Sequence, residues 1–232
     1  YVVTPSLATG SGGFLESNYN VTYTPYNGTV SQKALTVTAT GPLKTYGTAL
    51  TAGPSATDFT AGATGVGAET VTSVTLTPDA AGLSATTAAG VGYVVTPSLA
   101  TGSGGFLESN YNVTYTPYNG TVSQKALTVT GTTDTKVYDG NATANLDTTS
   151  SILSGVISGE ELLVTLNKAG ASAPDFGGKN VGTYTVAVIG FTITGPGISN
   201  YSLTQPTLSD ASITAKALAV TATGPSKTYG TA

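Results

Sequence analysis

The chain has 232 residues, a net charge of −4 and only 9% charged residues, and it contains no His, Cys, Met or Trp. Without imidazole or thiolate there is no ordinary general base, no thiol nucleophile and no nitrogen and sulfur ligand set for zinc or a transition metal, so neither an enzyme nor a cofactor is expected. Eight basic against twelve acidic residues lack the concentrated positive charge that nucleic-acid binding needs, and no stretch approaches the roughly 20 apolar residues of a membrane span.

A hydrophobic share of 39% with 13 Tyr and 5 Phe spread along the chain supplies enough apolar surface for small cores. Abundant Thr, Val and Tyr, punctuated by 30 Gly and 11 Pro, favour strands and turns. The first residue is Tyr1, so the chain reads as an excerpt of a longer protein.

Residues 1–32 recur later in the chain, because 1–38 are identical to 93–130. The loop ATGSGGFLES at 8–17, repeated at 100–109, places Phe14 and Phe106 among glycines, where an exposed ring would suit a surface contact. Then "NVTYTPY" and "TVSQKALTVT" alternate polar and apolar residues around Asn27-Gly28, and again around Asn119-Gly120. That pattern predicts a type I′ hairpin. Pro25 and Pro117 would confine the first arm to a sheet edge or a bulge.

A complete repeat spans 33–124, a second, diverged one 125–215, and 216–232 reopen the first kind, since KALTVTATGPLKTYGTA at 33–49 returns as KALAVTATGPSKTYGTA. A period near 91 residues exceeds that of solenoid repeats and suits a small domain with its own core. No Gly/Ser or Pro linker separates the last strand of one repeat from the first of the next, which predicts a semi-rigid rod. The predicted fold class is all-β, with tandem small β-sandwich domains of Ig-like type. The alternative is a β-grasp-like domain whose helix would come from 78–90.

In the second repeat the predicted strands are Thr135 to Tyr138, Leu162 to Leu166, Thr183 to Val188, Phe191 to Thr194, Tyr201 to Thr204 and Ala211 to Thr214, with turns at Asp139-Gly140 and Gly177-Gly178. Tyr46-Gly47, Tyr138-Asp139-Gly140 and Tyr229-Gly230 hold one stereotyped position. There an aromatic plug at a strand end, beside a glycine turn, is favoured over a sugar-stacking platform. Asp134, Asp139 and Asn141 are weak calcium candidates, because turn chemistry explains Asp-Gly-Asn equally well. Lys179, Asn180 and Asp175 supply the residue types of an isopeptide bond, though neighbours alternate sides of a strand. Glu160 and Glu161 are adjacent and cannot straddle a glycosidic bond.

"KVYDGNATA" followed by "GVISGEELLVTL", "FGGKNVGTYTV", "ISNYSLT" and "ASITAKAL" resembles the YDG domain. "LKTYGTA" followed by "VGYVV" and "SNYNVTY...NGTVSQKALTVT" resembles the related MBG domain of the YGX type. The resemblance implies tandem modules of large bacterial surface or secreted proteins of the filamentous-haemagglutinin-like kind, with no catalytic residues. The expected role is an extracellular stalk or filament whose partners are neighbouring repeats. The alternative is a module that binds glycans on a host or cell surface, or further copies of itself.

Overall fold

The structure, a computed structural model, describes residues 1–231; Ala232, the last letter of the final KTYGTA, lies outside the described residues. It is all-β, and among the described residues the single α-helix is one turn at Ala80–Leu83. Gly82, Ser84 and Gly90 interrupt the stretch, so the helix over 78–90 that the grasp-like alternative requires does not extend beyond this turn. The chain makes two compact units, the first from Tyr1–Pro42, Thr51–Ala80 and Val94–Gly120, the second from Leu43–Leu50, Ala81–Tyr93 and the residues from Thr121 onward.

In the first unit, β1 (Val2–Val3) and β2 (Tyr26–Asn27) make a short antiparallel ribbon. β3 (Lys33–Ala39) is the centre of a three-stranded sheet, because its alternation buries Leu35, Val37 and Ala39 on one face. The second sheet begins with β4 (Gly53–Ser55), while β5 (Phe59–Ala61) returns to pair antiparallel with β3. β6 (Thr70–Pro78) and β7 (Gly92–Ser103) form the antiparallel centre of that second sheet. β8 (Tyr111–Thr116) runs parallel to β3 with Lys33 opposite Tyr111 and Thr38 opposite Thr116, and β9 (Tyr118–Thr121) joins the second sheet beside β7.

This placement overturns the predicted hairpin. β8 and β9 belong to different sheets, so Asn119-Gly120 lies inside β9, Asn27 lies inside β2, and neither Gly28 nor Gly120 takes a positive φ. Pro117 sits at the crossover, where a missing donor costs no ladder bond, and β8 is the edge strand expected from it.

One irregularity in β7 shapes the loop that follows. Between the pairs Thr75–Ser98 and Ser73–Thr101 the strand carries one residue more than β6, and Leu99 takes a φ of 50° within that bulge. The next amide, Ala100 N–H, donates to Tyr115 Oη at 2.7 Å, and that hydroxyl donates to Glu108 Oε1 at 2.5 Å. Leu7, Ala8, Tyr23 and Glu16 repeat this arrangement, with Leu7 at 53°. The bulge is therefore held by interactions at most 15 residues apart and does not need the paired sheet.

In the second unit, β10 (Lys125–Thr130) repeats the role of β3. β11 (Thr133–Val137) continues the same stretch of chain in another sheet after Gly131, whose φ of 77° makes the change of direction. β12 (Leu146–Asp147) pairs with β11, β13 (Ile152–Ser154) with β10, and β14 (Thr165–Asn167) faces β16 (Thr192–Thr194). β15 (Gly182–Ala187) pairs antiparallel with β18 (Thr207–Thr214) across a bulge between Tyr184 and Val186, and β17 (Tyr201–Thr204) runs parallel to β10. β17 and β18 change sheets at Gln205-Pro206, so the opening and closing strands of the unit switch together: β10 lies parallel to β17, and β11 parallel to β18.

The core of this unit gathers Val129, Phe176, Val186, Val188, Phe191, Leu208, Ala211 and Ile213. Most predicted strands recur within a residue or two, but Leu162 and Leu163 lie outside β14. Leu162 is almost fully exposed there, and Leu163 N–H closes a turn onto Glu160 O at 2.8 Å.

Candidate functional site

Three identical or near-identical turns give very different results. Gly47, Gly140 and Gly230 have φ values of 86°, 87° and 86°, as the glycine turn requires. Tyr46 is 5% exposed, Tyr138 is partly exposed and Tyr229 is fully exposed. The turn itself is encoded locally, since Thr48 N–H donates to Thr45 O at 3.1 Å and Thr231 N–H to Thr228 O at 3.2 Å. Burial of the ring is decided by what packs against it.

Around Tyr46 the second unit builds a polar cluster. Tyr46 Oη donates to Glu160 Oε1 at 2.5 Å, Tyr201 Oη donates to Glu160 Oε2 at 2.6 Å, and the two rings meet edge to face at 5.5 Å. The main chain fixes the turn from the other side: Tyr46 N–H donates to Ser123 O and Ser123 N–H to Lys44 O, both at 2.9 Å. Gly47 approaches Ile157 so closely that a Cβ there would collide with its side chain. Ala89 N–H caps the cluster by donating to Asn200 Oδ1 at 2.9 Å.

Lys44 is buried and donates to the carbonyls of Thr48 and Ser84, and loss of solvent pushes its pKa down. Burial, with Glu160 adding to it, pushes the Tyr201 phenol up to about 12. The hydrogen bond to Glu160, with burial behind it, also pushes Tyr46 up. These phenols stay protonated and act as donors to the Glu160 carboxylate, so the cluster ties three distant segments of the chain together.

The first unit holds the matching pair, Tyr111 Oη donating to Glu69 Oε2 at 2.5 Å. Glu69 lies 42 residues before its tyrosine and Glu160 lies 41 before its own. That near-constant spacing is the sequence signal for these glutamates, which the reading of Glu160-Glu161 as a bare carboxylate pair misses.

The other candidates are redistributed. Phe106 is 8% exposed, stacks on Tyr111 at 5.2 Å and lies over Gly102, where a Cβ would come within 2.8 Å of it. Phe14 is half-buried and stacks on Tyr19 at 5.0 Å. The Phe106 ring is thus withdrawn from the surface, whereas the Phe14 ring keeps part of its surface beside the exposed Tyr19. Asp139 Oδ1 and Asn141 Oδ1 both accept from Lys136 Nζ, at 2.9 and 2.7 Å, so an ammonium takes the place proposed for calcium. This pairing holds the Asp139 carboxyl below its ordinary range. Asp134 is buried in β11, accepts from Asn145 N–H at 2.8 Å through Oδ1, and is pushed up by desolvation. Among the described residues no group of three His, Cys, Asp or Glu converges as a metal site. Lys179, Asn180 and Asp175 are all exposed, which removes the dry setting an isopeptide bond needs.

Residues 123–208 match the YDG domain family. The comparisons with curated proteins and with solved structures give no match.

Proposed function

We propose that the chain is a structural repeat segment of a large extracellular bacterial adhesin, in which small Ig-like β-sandwich domains of MBG and YDG type form a semi-rigid stalk or filament. In this reading 1–32 close one MBG-type repeat, 33–124 are a complete MBG-type repeat, 125–215 are a YDG repeat and 216–232 open another. It has no catalytic role and binds no cofactor, and its main partners are its own neighbouring repeats.

The observation that carries this is the Tyr46–Glu160–Tyr201 cluster. It joins residues of two successive sequence repeats inside one compact unit, so side-chain bonds as well as peptide bonds link one repeat to the next. The identical copying of 1–38 at 93–130 supports it further, because lengthening a stalk needs no new chemistry. The YDG match covers the second repeat as far as residue 208. The burial of Phe106 weighs against a glycan platform in the loop 100–109.

The test is small-angle scattering of chains carrying one and two further copies of residues 33–124. Each copy is expected to lengthen the particle by a constant increment of about 25–40 Å. A particle that thickens without lengthening, or a soluble chain retained on immobilised glycans, would favour the binding-module alternative.

A further inference from the structure

We propose that the pocket beside Tyr111 in the first unit is a socket that receives the Thr228-Tyr229-Gly230 turn of a second copy of this chain. The pocket is about 370 Å³, and its lining includes Ser31, Lys33, Val66, Glu69, Asn110 and Tyr111. The corresponding residues of the second unit are Ser123, Lys125, Ile157, Glu160, Asn200 and Tyr201, and there the Thr45-Tyr46-Gly47 turn is seated among them.

The two sites correspond bond by bond. Gln32 Nε2 donates to Ser109 O and Gln124 Nε2 to Ser199 O, both at 3.0 Å. Glu69 N–H donates to Val66 O at 3.0 Å and Glu160 N–H to Ile157 O at 2.9 Å. In each site Oε2 of the glutamate accepts the resident tyrosine, and at Glu160 it is Oε1 that accepts Tyr46. Glu69 Oε1 is the matching acceptor.

The plug is already shaped. KTYGT at 227–231 has the letters of 44–48, closes the same turn through Thr231 N–H and Oγ1 to Thr228 O at 3.2 and 2.9 Å, and leaves Tyr229 fully exposed. Val30 is 84% exposed beside the pocket, whereas its identical counterpart Val122 is 2% exposed beside the seated turn. A docked tail would place Tyr229 against Glu69 and Tyr111, and its main chain against Ser31. Plug and socket are different surfaces of one chain, so the contact is heterologous and propagates head to tail unless it closes into a ring.

The inference goes beyond the stalk reading and does not depend on it: chains that stay monomeric would overturn the inference and leave that reading standing. The experiment is sedimentation velocity of the full chain at concentrations up to about 1 mM, the range in which weak complexes form, together with Tyr229→Ala. Peptides of residues 221–231, with tyrosine or with alanine at 229, serve as competitors. The wild-type chain is expected to show sedimentation coefficients that rise with concentration. Tyr229→Ala is expected to remain monomeric, and only the tyrosine peptide is expected to dissolve the wild-type oligomers. A wild-type chain that stays monomeric throughout, or two peptides that act alike, overturns it. So does association that survives Tyr229→Ala, which would assign the contact to strand pairing of the tail.

Discussion

Tyr46 and Tyr201 share the two oxygens of one carboxylate, Glu160, at 2.5 and 2.6 Å. A charged acceptor serving two phenols makes Glu160 the residue whose loss strands the most partners. Hydrogen bonds to charged groups contribute about 1.5–3 kcal/mol each. Glu160→Ala is therefore expected to destabilise the second unit by about 3 kcal/mol and Tyr46→Phe by about 1–2 kcal/mol, read from urea denaturation. A Tyr46→Phe, Tyr201→Phe double-mutant cycle should depart from additivity, because both act on one group.

The same phenols predict an alkaline limit. The Tyr201 and Tyr115 phenols, each pushed up to about 12 chiefly by burial, stand above the ordinary tyrosine value of 10.0. A phenol that keeps its proton to higher pH in the folded state contributes stability that is fully present below pH 10 and is lost as pH rises toward 12. Absorbance titration near 295 nm should show the Tyr115 and Tyr201 phenols ionising only near pH 12, together with loss of the β-sheet signal.

Identical residues in identical sequences are expected to differ in energetic weight. Val122→Ala removes a buried side chain and should cost about 1–2 kcal/mol, while Val30→Ala should fall within about 0.5 kcal/mol of wild type. Chemical denaturation of the two variants checks this, and equal effects would contradict the packing described.

Leu99 holds a φ of 50° with its side chain exposed. A left-handed conformation costs a non-glycine residue about 1–2 kcal/mol, of which extra freedom in the unfolded chain returns part. Leu99→Gly is expected to raise stability by about 0.5–1 kcal/mol, seen as a thermal midpoint higher by a few degrees. A fall would mean that the leucine contributes packing in the bulge.

The strand pattern was legible because it is local. Alternation in KALTVT places Leu127 and Val129 inward, and the glycine turns at Gly47, Gly140 and Gly230 follow from their letters alone. The Asn119-Gly120 hairpin failed because sheet membership overrides a local turn preference. β8 is held by β3, 78 residues away at Lys33 and Tyr111, and β9 by β7. Residues 20–24 make the same point in reverse: they repeat 112–116 letter for letter yet form no strand, while the loop before them keeps its bulge and its tyrosine bond. The Tyr46–Glu160 bond spans 114 residues and carries no periodic signature, so only the matching positions of Glu69 and Glu160 in the two repeats point to it.

The joint sheet switching of the second unit has a mechanical meaning. Its opening strands, β10 and β11, lie parallel to its closing strands, β17 and β18, with Lys125 beside Tyr201 and Val137 beside Thr214. Tension applied at Lys125 and Thr214 in opposite directions slides these neighbours along each other. The load then falls on a whole row of backbone hydrogen bonds at once, in two sheets, instead of opening them one at a time from an end. Strands paired this way resist stretching along the chain far better than peeling across it.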